Sequence, residues 1–66
     1  MNAKINTVAD FNIGHIYKGA RAGMFVVVAM RTLGGEAGMQ VKPYNHETGK
    51  AMGGEMFFTP DMLIAA

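Results

Sequence analysis

Eight residues near the middle of this 66-residue chain, Gly23-Met24-Phe25-Val26-Val27-Val28-Ala29-Met30, form an apolar run rich in β-branched side chains. Such a run reads as a strand. Successive side chains of a strand point to opposite faces, which sets Phe25, Val27 and Ala29 on one side and Met24, Val26, Val28 and Met30 on the other. A small sheet has only one inside. The second apolar face therefore needs another part of the chain, a second copy, or a partner to cover it.

Sixty-six residues make one domain near the lower limit for folding on a hydrophobic core alone. The usual staples are missing. With no cysteine there is neither a disulfide nor a thiolate metal site, and two histidines, His15 and His46, are too few for a structural zinc site without carboxylate help. Oligomerisation is the remaining remedy. The start, Met1-Asn2-Ala3-Lys4, leads into polar residues, and no apolar run approaches the roughly 20 residues of a membrane helix, so the expectation is a soluble, unprocessed, cytoplasmic protein. Six Lys and Arg against five Asp and Glu leave a net charge of +1, too little for a chain that grips phosphates mainly by charge.

Along the chain, residues 1–10 show no clean period and read as an N-terminal arm; residues 11–66 read as a single β domain. Phe11, Ile13, His15 and Tyr17 alternate, which predicts a first strand ending near Lys18 and then a loop from Gly19 to Gly23. The long strand runs from Met24 to about Arg31, and Thr32 to Ala37 turns the chain around Gly34-Gly35, where φ > 0 costs glycine nothing. Met39, Val41 and Pro43 alternate with Gln40 and Lys42, a half-solvated strand whose end Pro43 places at a sheet edge and Tyr44 closes. Asn45 to Gly49 reads as a turn, Lys50-Ala51-Met52 as a very short strand, and Glu55 to Phe58 as the last full one. Thr59-Pro60 then starts a single helical turn before a brief terminal strand ending at Ile64.

About five short strands with one helical turn before the last give an all-β fold class that resembles a small SH3-like antiparallel barrel. Within it, Phe11-Asn12-Ile13-Gly14 and Phe58-Thr59-Pro60-Asp61-Met62-Leu63 resemble the opening and closing segments of the plasmid-borne type II dihydrofolate reductases. Those are SH3-like barrels that form tetramers around a shared pore, and the resemblance implies an oligomeric pore-type reductase as a remote alternative. Their Val-Gln-Ile-Tyr pore motif falls on Glu55-Met56-Phe57-Phe58, which keeps neither the glutamine nor the tyrosine. No catalytic residue is carried over.

Chemistry is sparse. His46-Glu47-Thr48-Gly49-Lys50 lacks a second histidine four residues on and lacks a glycine-rich loop before Gly-Lys, so it reads as a polar turn. A carboxylate and imidazole metal site would need His15, His46, Glu47 and Asp61 to converge in space. Asp10, Glu36 and Glu47 sit at turns, Asp61 suits a first helical turn, and the absence of serine and cysteine excludes serine and thiol triads. The expectation is a chain that is not an enzyme and takes no cofactor.

Two binding readings remain. Met24, Val26, Val28 and Met30, with Phe57 or Phe58 as anchor, would form an apolar patch rimmed by Arg31, Lys42 and Glu55, suited to another protein or to self-association as a homo-oligomer. The alternative is a nucleic-acid-binding barrel using Tyr17, Arg21, Arg31, Lys42 and Tyr44, where rings stack on bases and cations follow phosphates. Size and near-neutral charge favour the first, of the kind that phages and mobile elements use as accessory regulators or inhibitors.

Overall fold

Gly34 and Gly35 carry φ of 59° and 82° in the computed structural model, which describes residues 7–65, and so make the two-residue turn that joins the two longest strands. Among the described residues six strands form one antiparallel sheet: β1 (Ile16–Gly19), β2 (Met24–Leu33), β3 (Glu36–Asn45), β4 (Lys50–Ala51), β5 (Met56–Phe58) and β6 (Leu63–Ile64). The order is β4-β3-β2-β1-β6, with β5 also on β3. Two 3-10 turns, Val8–Asp10 and Pro60–Met62, complete the fold. No helix among the described residues is long and apolar enough to cross a membrane.

β4 and β5 are one strand with an interruption. Between the pairs Tyr44–Ala51 and Val41–Met56, β3 has Lys42 and Pro43 while the opposite chain has Met52 to Glu55, including Gly53-Gly54. Pro43 lies opposite this gap, inside a strand that continues to Asn45, and not at the strand end that its ring suggested. Its carbonyl accepts from the Met52 N–H at 2.7 Å, so its nitrogen also faces the interruption, where no ladder hydrogen bond is lost.

The first strand is shorter than the alternation from Phe11 predicted. Residues 12–15 turn instead, with the His15 N–H donating to the Asn12 carbonyl at 3.1 Å, and pairing begins at Ile16–Val26. Phe11 still reaches the core, its ring edge-on to Tyr17 at 4.9 Å, while Ile13 is left exposed. Of the expected N-terminal arm, residues 1–6 lie outside the described residues; Val8 packs against the core and the Asp10 carboxylate accepts from the Thr7 N–H at 2.7 Å.

The faces of the central strand need a larger correction. The register shifts between Val27, which pairs with Val41, and Ala29, which pairs with Gln40. Val28 is thus the extra residue of a β-bulge, and the alternation changes phase after it. Paired residues share a face, so Phe25, Val27 and Met30 lie with Pro43, Val41 and Met39 on the inner face, while Met24, Val26 and Ala29 lie with Tyr44, Lys42 and Gln40 on the outer one. Met30 and Ala29 have therefore exchanged sides relative to a regular strand. Strand pairing also persists through Thr32–Ala37 to Leu33–Glu36, which confines the turn to the two glycines.

The core lies on the inner face. Phe11, Val27, Met39, Val41 and Leu63 are buried there, and Val8, Tyr17, Phe25, Phe58 and Ala65 pack around them. Thr59 and Pro60 start the second 3-10 turn as their residue types predict; the Thr59 hydroxyl donates to the Asp61 carboxylate at 2.5 Å.

Candidate functional site

Following the pairing register across the sheet gives the outer face row by row. One row reads Ile64, Lys18, Met24, Tyr44 and Ala51; the next Ile16, Val26 and Lys42; the next Ala29, Gln40 and Phe57; then Arg31 and Gly38. Adjacent strands are about 4.8 Å apart and alternate residues roughly 6.7 Å along a strand, so these side chains form one continuous surface. Its middle is aliphatic. Met24, Val26 and Ala29 are half-buried, whereas Ile16 and Ile64 remain 41% and 43% exposed at its edge.

Phe57 closes one side of this surface by lying across a glycine. A Cβ built at Gly38 would stand 2.6 Å from the Phe57 ring and 2.5 Å from the Phe58 carbonyl oxygen, so the ring fits only because that side chain is absent. Phe58 points the other way, tilted against Phe25 with ring centroids 4.8 Å apart. The expectation that neighbouring phenylalanines face opposite sides is met.

The residues named from sequence divide accordingly. Met24, Val26 and Phe57 share the outer face; Val28 is the bulge residue, Met30 belongs to the inner side beyond the core, and Phe58 is an inner packing residue. Of the basic and aromatic set, Arg31, Lys42 and Tyr44 come together on the outer face. Tyr17 faces inward with its hydroxyl oxygen accepting from the Asn12 N–H at 2.7 Å, and Arg21 lies in the loop after β1. Ile16, Lys18 and Ile64 also reach this surface. The alternation of Ile16 with Tyr17 carried that signal; the pairing of β6 with β1, which delivers Ile64, did not show in the sequence.

An open cleft of about 570 Å³ lies between the loop after β1 and the 3-10 turn before β6. Phe25 and Phe58 line it, with Arg21, Ala22, Asp61 and Met62 around them. Among the described residues no group of three His, Cys, Asp or Glu comes together, so His15, His46, Glu47 and Asp61 do not converge. His46 and Glu47 belong to the turn after β3, where Asn45 Oδ1 accepts from the Glu47 N–H at 2.9 Å, an Asx-type turn. Comparison with protein-family models, with curated proteins and with solved structures gave no match to this chain.

Proposed function

We propose that this chain is a non-enzymatic binding module that engages another protein, or a second copy of itself, through the outer face of its sheet. The observation that carries this reading is the aliphatic surface of Ile16, Met24, Val26, Ala29 and Ile64, continuous with Phe57, over which no described element packs. Apolar side chains grouped on one face and rimmed by Lys18, Lys42 and Arg31 have the make-up of an interface core with a polar rim. A chain of this size acts by occupying a partner's surface, as a small regulator or inhibitor does. The strand order, the interrupted strand on β3 and the 3-10 turn before β6 support reading the fold as an SH3-like barrel left open between β5 and β6.

The test is affinity capture from the native host with the intact protein and with Val26→Asp, each with and without nuclease. A protein partner retained by the first and lost by the second supports the reading. One observation favours nucleic acid instead: Lys18, Arg31, Lys42 and Tyr44 share the face. Three phosphate contacts would make binding fall roughly 20- to 40-fold between about 50 and 200 mM salt. Nuclease-sensitive capture with that salt response, unaffected by Val26→Asp, would replace the first reading with the second.

A further inference from the structure

Beyond its bulge, β2 has a neighbour on one side only among the described residues. On the β1 side the last bonds are at Val27, whose carbonyl accepts from the Gly14 N–H at 2.7 Å and whose N–H donates to the His15 carbonyl at 3.1 Å. Among the described residues no strand pairs with Ala29 to Leu33 on that side, and every residue from Met30 to Ala37 is exposed. The pair flanking a two-residue hairpin turn is hydrogen-bonded, and alternation along the ladder then turns the backbone groups of Leu33, Arg31 and Ala29 toward β3. Those of Met30 and Thr32 point to the open edge.

We propose that this edge accepts an extended segment of another protein as an added strand, and that the segment carries a carboxylate opposite Arg31. The proposal goes beyond the face-binding reading and rests on a separate observation, the open edge. Main-chain bonds from Met30 and Thr32 supply the attachment, and side chains beside the edge supply the choice of partner. Arg31 is the one charged side chain in β2. Its neighbour on the same face of the strand, Ala29, leaves room beside it for a side chain from the incoming strand.

The same residue argues against a second copy on this edge. The antiparallel register that joins Met30 of each copy to Thr32 of the other uses every outward backbone group, yet it sets Arg31 directly opposite Arg31, a like-charge pair. Moving the register by two residues in one direction drives the second hairpin into Gly14 and His15; in the other it keeps a single hydrogen-bonded pair, Thr32 with Thr32, because Met30 then falls opposite Gly34 of the turn. Charged residues on exposed edges are a known means of preventing self-pairing. Here the charge that blocks a copy is the one that welcomes an acid.

The experiment is nitrogen-15 NMR of the full chain titrated with two ten-residue peptides of alternating Thr and Val, one with a central Glu and one with a central Lys. The expected result is perturbation of the Met30 and Thr32 amides, with the Glu peptide binding about tenfold more tightly than the Lys peptide. Arg31→Glu should reverse that preference, and N-methylation of Thr32 by chemical synthesis should abolish binding while the β2–β3 cross-peaks remain. Equal binding of the two peptides, no binding of either at millimolar concentration, or pairing of two copies along this edge would each overturn the proposal. Perturbation confined to Ile16, Met24 and Val26 would overturn it too, while leaving the face-binding reading standing.

Discussion

Gly38 is the residue at which the outer face depends on a missing atom. Because both the Phe57 ring and the Phe58 carbonyl occupy the place of its Cβ, Gly38→Ala must move backbone and not just a side chain. Overpacking of this kind costs about 1–3 kcal/mol, so the urea midpoint should fall accordingly, and Phe57→Ala in the same chain should restore part of the loss by removing the ring. Val26→Asp belongs to a different class. Val26 is half-buried on a face over which no described element packs, and the substitution should cost about 1 kcal/mol through lost strand propensity while removing partner capture. A large stability loss in that variant would mean that the outer face is covered from within the chain.

At the scale of elements, what could be read in the sequence was what glycine, proline and the Asx turn control. Gly34-Gly35 announced the hairpin because no other residue type accepts positive φ as readily, and both glycines have it. Thr59-Pro60 announced the final 3-10 turn for a similar local reason. The bulge was illegible. Val28 is flanked by residues of the same kind, so alternation offers no mark of the position at which the phase changes, yet that one residue decides whether Met30 or Ala29 joins the outer face. Met30 consequently joins the inner face and Ala29 the outer one, Phe58 faces inward by the alternation of β5, and Ile16 and Ile64 arrive through strand pairing. The hairpin itself yields a further prediction: Gly35→Val, which forces a β-branched side chain to φ of 82°, should lower the urea midpoint by the equivalent of about 1–3 kcal/mol. Gly35→Asn should cost clearly less, because asparagine tolerates the left-handed region. Equal losses would show that the turn is not held in that conformation in solution.

For the molecule as a whole, the decisive quantity is how little of it is buried. The described core has only Phe11, Val27, Met39, Val41 and Leu63 at its centre, and a domain of this size rarely has more than about 3–5 kcal/mol of stability. Truncating a fully buried methionine costs about 2–5 kcal/mol, so Met39→Ala should leave a large unfolded fraction at 25 °C by far-ultraviolet circular dichroism. The same deletion on the outer face, Ile16→Ala, should leave the chain folded. A ligand that binds only the folded form stabilises it by about 2.7 kcal/mol at 100 times its dissociation constant. Adding the captured partner should therefore refold much of the Met39→Ala protein, and should fail to refold it when Val26→Asp is also present. Refolding of both variants to the same extent would mean that the partner does not act through the outer face; refolding of neither would mean that the missing stability exceeds what binding can return.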